Sequence, residues 1–491
     1  MNTNGKKISR YARFLALFAI VFLLLSGLPT ATGAEKMDST SQEQGESASL
    51  QPQGNGVLQN MYMPIVFKRY PVPNVFGVHM TIAESGGLNQ IAATETYWVR
   101  GGGVPWSKVE PNEGDRNWGE LASQEAQYIN ASNHGFSTIV IVGNTPSWAQ
   151  KVPDYSCGPI LEGKLDAFAD FMYDLVSRYS QAPYNVKVWE IWNEPDIDPA
   201  LVPTKDSPFG CWGDDSDDYY GGGYYAEMLK RVYPRIKEAD PYARVVVGGL
   251  LLDCDPNNPP PGKLCKPSKF LEGILRNGGG PFFDGVSFHA YDYYGGSLGS
   301  YSNHEWDSYW NTTGPVSMEK SNFMMDVLST YGYPNKFLMN TESAVLCDAC
   351  DEDADFETTK AYFVVYAFAS AIAQGFEGNT WYTVEGWRNS GLLDGDLNPL
   401  PAYNSYKFAA DRLHNAYYVR DLDEYSDIYG YEFDRGYPNE WVLWSKDGAS
   451  HVITLPGIPT AAYQIGTDGN AVALPLSTSL TVTSAPIFLE W

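Results

Sequence analysis

The sequence has little positive charge. Its 491 residues include 33 Lys and Arg against 59 Asp and Glu, which gives a formal net charge of −26. Such a surface repels a phosphate backbone, so we expect no nucleic-acid partner. The charge fits an extracellular protein whose ligand is a neutral polymer. An anionic polysaccharide remains an alternative if the binding cleft is locally basic.

Long apolar runs are scarce. Residues 14–25 form one, after four basic residues and before a small-residue stretch that ends in Ala34. This layout predicts a cleavable secretory signal over residues 1–34, because the run is too short for a comfortable membrane span. No later segment approaches the length of a membrane span. A lipid anchor is not indicated, because no Cys lies near the cleavage region. We therefore expect a secreted protein with a mature charge of about −30.

Cysteine is also sparse, with six residues in the chain. In an exported protein they favour disulfides, although the spacing does not fix the connectivity. The close spacings suggest the pairs Cys254–Cys265 and Cys347–Cys350, which leaves Cys157–Cys211 to join the loops after two strands. An alternative for Cys347-Asp-Ala-Cys350 is half of a zinc site, but no second close pair or nearby His accompanies it.

Residues 35–60 are rich in Ser, Gln, Glu and Gly and contain few large apolar residues. This composition predicts a disordered tether. The folded part begins near Tyr62. Beyond it, 34 Tyr and 14 Trp in the whole chain fit either a large core or a cleft lined with rings that stack on sugars.

Short β-branched or aromatic runs alternate with longer helical patterns through most of the chain. Eight runs are predicted strands: residues 75–80, 97–101, 138–142, 186–192, 245–250, 285–290, 337–340 and 378–383. Helical spacing of apolar residues predicts helices over 165–179, 224–239 and 358–374. Eight such strands indicate an α/β fold, a (β/α)8 TIM barrel over residues 61–415. A doubly wound sheet is the main competitor, but no glycine-rich phosphate loop follows the first strand.

The last part of the chain has a different pattern. After a closing loop and helix over 392–413, short β-branched runs at 441–445, 451–455, 463–466 and 480–482 are separated by turn residues. Apolar residues do not recur at helical spacing over any long stretch of this region. The pattern predicts a small C-terminal antiparallel β domain over residues 416–491.

Two glutamates follow predicted barrel strands. The fourth strand leads into Trp192-Asn193-Glu194-Pro195, and the seventh ends in Asn340-Thr341-Glu342-Ser343. Functional residues of such barrels lie at the C-terminal ends of the strands. Cleavage of a glycosidic bond needs a proton donor for the leaving oxygen and a carboxylate beneath the anomeric carbon. Two glutamates on different strands of one barrel meet that need.

An ordered set of motifs resembles clan A glycoside hydrolases, and family 39 more than family 5. The set spans roughly residues 74–414 and includes the following segments: Trp98-Val99-Arg100, Thr145-Pro146-Ser147-Trp148, Asn193-Glu194-Pro195, His289-Ala290-Tyr291, Glu342 and Trp381. Family 5 members often carry a His at the end of the third strand, where this chain has Gly143-Asn144. The resemblance therefore implies a retaining glycosidase close to family 39, with no cofactor and no metal.

The resemblance also implies roles for the matching residues. Glu194 would be the general acid and then the general base, and Glu342 would be the nucleophile. Asn193 is expected to donate to the sugar 2-hydroxyl. Arg100 and Tyr291 are candidates to hold Glu342 in place and keep it charged; their alternatives are a buried ion pair and core packing.

Other candidates would contact the substrate. His289 could bind a hydroxyl or support the acid, and Trp381 offers a face for the sugar ring, with core packing as its alternative. Trp148 is a possible wall of the cleft. His79 could touch substrate or lie at the end of the first strand without contact. Glu190, four residues before Glu194, would point deeper into the barrel as a structural partner for Arg100.

We therefore predict a secreted retaining glycosidase that cleaves β-linked oligo- or polysaccharides by double displacement. A catalytically inactive carbohydrate-binding barrel is one alternative, and a transglycosylase that uses the same covalent intermediate is another. In a third alternative the C-terminal β domain binds sugar and dominates the function.

Overall fold

The computed structural model describes residues 74–202, 207, 209–303, 310 and 314–491. The predicted signal (1–34) and the predicted tether (35–60) lie outside these residues. Among the helices of the described ranges, none combines the length and apolar character that a membrane crossing requires.

Eight parallel strands form the centre of the larger part of the molecule. They are β1 Phe76–His79, β2 Trp98–Arg100, β3 Ser137–Gly143, β4 Val188–Ile191, β5 Arg244–Leu250, β6 Gly285–Tyr294, β7 Phe337–Leu346 and β8 Gly378–Tyr382. Each strand pairs in parallel with the next, and β1 pairs with both β2 and β8. The sheet therefore closes, which confirms the predicted TIM barrel.

Helices follow the strands around the outside of the barrel. They are α1 Leu88–Ile91, α2 Trp106–Val109, α3 Ala122–Asn133, α4 Leu165–Tyr179, α5 Gly222–Ala239, α6 Phe270–Arg276, α7 Val316–Thr330, α8 Ala354–Ala373 and α9 Pro401–Leu413. The predicted helices correspond to α4, α5 and α8. In α4, apolar residues three and four positions apart are buried against the strands, as a helix with one apolar stripe requires.

The interior of the barrel is apolar at its N-terminal end and polar above it. Early residues of five strands pack together there: Trp98, Ile139, Val188, Val246 and Met339. Because side chains alternate along a strand, the next inward positions on β2 and β4 are Arg100 and Glu190. The sequence thus places charged side chains directly on top of an apolar floor.

Two strands extend several residues past their predicted C-terminal ends. β6 and β7 extend to Tyr294 and Leu346, four and six residues beyond the predicted ends at 290 and 340. The two strands pair with each other as far as Tyr293 and Leu346, so each supplies the backbone partners that the other needs. As a result Glu342 lies inside β7 and not at its end.

The C-terminal part is antiparallel, as predicted. Its strands are β9 Tyr417–Asp421, β10 Ile428–Asp434, β11 Asn439–Ser445, β12 His451–Thr454, β13 Ala461–Ile465, β14 Ala471–Ala473, β15 Ser479–Val482 and β16 Ile487–Glu490. Six of them form a sheet in the order β9-β10-β11-β16-β13-β14, and β12 pairs with β15.

Helix α8 joins the two parts of the molecule. From Phe356 to Ile372 all but one of its residues are buried, because barrel strands cover one side and the C-terminal sheet covers the other. The ring of Tyr366 stacks on Trp444 of β11 at a centroid distance of 4.7 Å. The helix and the sheet therefore share one hydrophobic core.

All three expected disulfides are formed: Cys157–Cys211, Cys254–Cys265 and Cys347–Cys350. The first joins the loop after β3 to the loop after β4, as the sequence suggested. The half zinc site considered for Cys347 and Cys350 is wrong, because their sulfur atoms are bonded to each other and are not available as thiolate ligands.

We predict that Trp444→Ala destabilises the protein by about 3–5 kcal/mol, since it removes a large buried ring from the shared core. The measurement is the free energy of unfolding in a denaturant titration. Tyr437→Ala is the matched control, because Tyr437 is 88% exposed on the same domain and should change stability by less than about 0.5 kcal/mol. Equal effects of the two substitutions would contradict the shared core.

Candidate active site

Arg100 is the centre of a polar cluster inside the C-terminal half of the barrel. It is fully buried and projects from the end of β2. Its Nε donates to Glu190 Oε2 at 2.7 Å, its Nη2 donates to Asn193 Oδ1 at 2.7 Å, and its Nη1 donates to Glu342 Oε1. Nη1 also lies 3.4 Å from His79 Nδ1. One guanidinium thus orients groups from four elements.

Glu190 is fixed on both oxygens. While Oε2 binds Arg100, Oε1 accepts hydrogen bonds from Ser287 Oγ at 2.6 Å, Thr341 Oγ1 at 2.8 Å and the Gly249 amide at 3.2 Å. A carboxylate with this many donors is held in one orientation. The predicted pairing of Glu190 with Arg100 is confirmed.

Glu342 is turned into the barrel by an irregularity in β7. Phe288 pairs with Asn340, but the next residue of β6, His289, pairs with Glu342, so β7 has one extra residue at Thr341. Such a bulge changes the direction of the side chains that follow it. Glu342 Oε1 then accepts from Arg100 and Oε2 accepts from the Tyr291 hydroxyl.

Glu194 lies in the turn that follows β4. Trp192 and Glu194 adopt left-handed backbone conformations, with φ of 72° and 49°. The Glu194 amide donates to the Gly249 carbonyl at 3.1 Å, and His289 Nδ1 lies 2.7 Å from Glu194 Oε1. Oxygens of Glu194 and Glu342 and a ring nitrogen of His289 all lie within 4.8 Å of one another. The two predicted glutamates therefore face each other.

The two buried carboxyl groups differ in their surroundings. Burial, followed by the negative charges of Glu342 and Asp196, raises the pKa of Glu194 well above its ordinary value of 4.5. Burial also raises the pKa of Glu342, but the Arg100 cation and the hydrogen bonds from Tyr291 and Arg100 oppose that rise. When the pair holds one proton, it therefore resides on Glu194.

Both histidines of the cluster are kept neutral. Burial, then the positive charges of Arg100 and Lys320, lower the pKa of His289 well below 6.5. Burial and Arg100 do the same to the pKa of His79. Lys320 reaches this region from α7, where its Nζ donates to the backbone carbonyls of Leu251 at 2.6 Å and His289 at 2.9 Å.

The side chains around Glu194 and Glu342 offer three ligand atoms to a cation, one each from Glu194, His289 and Glu342. A divalent ion bound there would have to share Glu342 with the Arg100 guanidinium and the Tyr291 hydroxyl. The adjacent positive charge opposes such binding. The arrangement fits proton transfer and attack by a carboxylate better than metal coordination.

Trp381 does not line this cluster, which corrects the expectation of a sugar-stacking face. It is fully buried outside the barrel wall, where it packs with Phe363 of α8, and its indole nitrogen donates to the Ser390 carbonyl at 2.8 Å. Strand alternation explains the placement. Trp381 pairs with Val78, which also faces outward into the same core, while Tyr382 pairs with the inward-facing His79.

Trp148 lies to the side of the cluster. Its ring packs edge-on against Trp106 at 5.2 Å, and its indole nitrogen donates to the Glu110 carbonyl at 3.0 Å. The Lys164 ammonium lies over the ring, 5.6 Å from its centroid. These contacts do not join Trp148 to Glu194 or Glu342, and its place as a wall of the cleft stays a prediction.

Two aromatic residues that the sequence analysis missed do border the cluster. Tyr382 packs against His79 at 4.7 Å and against Tyr291 at 5.9 Å, and Trp387 lies 5.7 Å from Tyr291. The inward parity of His79 could have identified Tyr382, its partner on β8. Nothing in the sequence marks Trp387, because it lies in the loop that follows the strand.

Gly249 was also missed. A Cβ atom at this position would lie 2.0 Å from His289 Nε2, so the histidine ring can occupy its place only beside a glycine. The Gly249 backbone also binds both Glu190 and Glu194. The Gly248-Gly249 pair at the end of β5 was a visible signal, since glycine inside a strand often marks close approach of other groups.

Comparison with known proteins finds the same fold in solved structures of glycoside hydrolases. A family 39 enzyme from the gut symbiont Bacteroides cellulosilyticus is similar with a TM-score of 0.64 at 18% identity, covering 86% of this chain and 81% of the other. A family 30 endoxylanase from Clostridium papyrosolvens gives 0.56 at 13% identity, covering 86% and 96%. A family 39 β-xylosidase from Caulobacter crescentus gives 0.52 at 14% identity, covering 86% and 96%.

No protein-family description and no curated protein matches the sequence. The similarity to the three solved structures is a similarity of fold. Their sequence identities are too low to show a shared activity or substrate. At the level of the fold the similarity confirms the resemblance to clan A glycoside hydrolases that the motifs indicated.

We predict that His79 and His289 stay neutral at pH 6.5, where a free histidine is half protonated. Their lowered pKa values have this sign because burial and Arg100 disfavour the imidazolium form. Nitrogen chemical shifts of protein labelled in histidine measure the protonation state, with His79→Asn used to assign the signals. An imidazolium signal from either residue at this pH would show that the ring is not desolvated as described.

Proposed function

We propose that the protein is a retaining glycoside hydrolase with Glu194 as acid/base and Glu342 as nucleophile. The observation that carries the proposal is a pair of buried carboxyl groups, one from the turn after β4 and one from β7, with oxygens within 4.8 Å of each other. Retaining enzymes hold their carboxyl groups about 5–5.5 Å apart, whereas inverting enzymes need about 6.5–9.5 Å to admit a water. The short spacing favours the retaining class.

Glu342 suits the nucleophile because its charge is supported on both oxygens. Arg100 donates to one oxygen and Tyr291 to the other. In the first step the ionised carboxylate attacks the anomeric carbon while the bond to the leaving oxygen breaks. A covalent glycosyl-enzyme forms, and the transition state between has oxocarbenium character.

Glu194 suits the acid because it is protonated when Glu342 is charged. It gives its proton to the leaving oxygen in the first step. Once Glu342 has become a neutral ester, one of the charges that raised the pKa of Glu194 is gone. The Glu194 carboxylate can then accept a proton from the water that attacks the intermediate, and the starting state is restored.

Further residues would bind or orient the sugar at this centre. Asn193 holds its carbonyl oxygen toward Arg100, which orients its amide group and supports a role as donor to the 2-hydroxyl. His289 supports Glu194 through a 2.7 Å contact. Tyr382 and Trp387 take the aromatic role that the sequence analysis gave to Trp381, because their rings pack against Tyr291, which donates to Glu342.

The substrate in this proposal is a β-linked oligo- or polysaccharide outside the cell. The acidic composition and the layout of residues 1–34 support export, and the barrel (61–415) would carry the chemistry beside the β domain (416–491). The solved neighbours include an endoxylanase and a β-xylosidase by name. Aryl β-xylosides and xylan are therefore the first substrates to test, followed by the corresponding glucosides.

We predict that Glu342→Ala abolishes turnover of the best aryl glycoside, because no covalent intermediate can form. Glu194→Ala should lower turnover by about 10²–10⁴-fold and be partly rescued by azide, a small anion that needs no general base. Initial rates of product release measure both effects.

The matched control for both variants is Glu162→Ala, which removes an exposed glutamate from the loop between β3 and α4. It should turn over substrate like the wild-type enzyme. Normal activity of Glu342→Ala would show that the assignment of the nucleophile is wrong.

A second prediction concerns pH. The rate constant kcat/KM should follow a bell-shaped profile, since the free enzyme needs Glu342 ionised and Glu194 protonated. Tyr291→Phe removes a donor that stabilises the charged form of Glu342, so the pKa of Glu342 rises and the acid limb moves to higher pH. An acid limb that stays in place or moves to lower pH would contradict the role given to Tyr291.

A further inference from the structure

The turn that carries Glu194 is bound along one side by a separate segment, Phe209–Gly213. Three amides of this segment donate to alternate carbonyls of the turn: Gly210 to Asn193, Trp212 to Pro195 at 3.0 Å and Gly213 to Ile197 at 2.8 Å. The three hydrogen bonds run in one direction, from the segment to the turn. The segment therefore fixes the turn on both sides of Glu194.

The same segment is fastened to the loop after β3. The Cys211 amide donates to the Cys157 carbonyl at 3.0 Å, and the two residues form a disulfide. The indole nitrogen of Trp192 donates to the same Cys157 carbonyl at 2.8 Å, and its ring packs edge-on against Trp212 at 5.1 Å. Cys157 thus contacts the segment and the start of the turn together.

The turn requires such support because its backbone is unfavourable by itself. Trp192 and Glu194 have left-handed conformations that residues with a Cβ atom adopt only when the surrounding structure demands it. The approach of the segment is also close. A Cβ atom on Gly210 would lie 2.5 Å from the Asn193 carbonyl oxygen and from the Trp192 ring.

We propose that the Cys157–Cys211 disulfide and the segment Phe209–Gly213 form a positioning brace that aims Glu194 at Glu342. The proposal rests on the function proposed above, in which Glu194 is the acid/base. Of the three disulfides, this one joins two different loops across 54 residues, whereas the others close single loops across 11 and 3 residues. The brace residues do not touch the reacting atoms; they act through the backbone of the turn.

The test compares the double variant Cys157→Ala/Cys211→Ala with Cys254→Ala/Cys265→Ala, which removes a disulfide from the loop after β5. Each is assayed for kcat/KM with the 2,4-dinitrophenyl and the phenyl β-glycoside of one sugar. The dinitrophenyl group leaves without a proton, whereas the phenyl group needs one from Glu194. We expect the first variant to lose at least about 10-fold more activity on the phenyl substrate, and the control to lose equally on both.

The two substrates separate positioning from stability. Partial unfolding lowers kcat/KM by the same factor for both leaving groups, because it only reduces the amount of active enzyme. Equal losses in the Cys157→Ala/Cys211→Ala variant would therefore overturn the brace, and so would a selective loss in the control. A wild-type enzyme that cleaves no glycoside would instead contradict the proposed function.

A second measurement does not depend on activity, and one of its two variants keeps the disulfide. Trp192→Phe keeps the disulfide and an aromatic ring but removes the donor to the Cys157 carbonyl. Hydrogen exchange of the backbone amides at residues 192–194, 196 and 197 should become faster in this variant and in Cys157→Ala/Cys211→Ala, relative to the control. Unchanged exchange in both variants would mean that the turn holds its shape without the brace.

Discussion

The ion pairs of Arg100 are the interaction on which the rest of the site depends. A fully buried guanidinium is stable only when its charge and donors are matched, and Glu190 and Glu342 supply two negative groups for one positive group. Glu190 is fixed by three further donors, so it cannot move away. Its pairing sets the orientation of Arg100, and Arg100 in turn sets the positions of Glu342 and Asn193.

The same cation explains the asymmetry between the two facing glutamates. Glu342 contacts the guanidinium, while Glu194 contacts a histidine that burial and two nearby cations keep neutral. A neutral imidazole does not offset the loss of solvation of a carboxylate, so Glu194 takes the proton. In the proposed mechanism, the difference between acid and nucleophile therefore comes from the side chain that each glutamate contacts, and not from depth, since both glutamates are buried.

The sequence was sufficient to predict the barrel, because β-branched runs and helical spacing of apolar residues indicate which segments form buried strands and helices. It was also sufficient to predict that Glu194 and Glu342 lie near each other, because the C-terminal ends of barrel strands converge on one face. The sequence did not predict features that depend on pairing with a neighbouring strand, namely the end of β7 and the direction of the Trp381 side chain. Thr341-Glu342-Ser343 has weak strand character by itself, and pairing with β6 extends the strand through it. Trp381 was predicted to stack on the sugar because it is aromatic. Its partner Val78 faces outward from the barrel, so Trp381 does too.

The turn after β4 could not be predicted for a related reason. Left-handed conformations at Trp192 and Glu194 oppose the local preference of both residues, so no propensity argument leads to them. They are stabilised by Phe209–Gly213, which arrives from later in the chain, and by Cys157, which lies well before it. A conflict between local preference and tertiary contacts is expected where a side chain must be aimed at a reacting group. In this barrel the conflict falls on Glu194, while Glu342, aimed by a bulge within a paired strand, needs no such support.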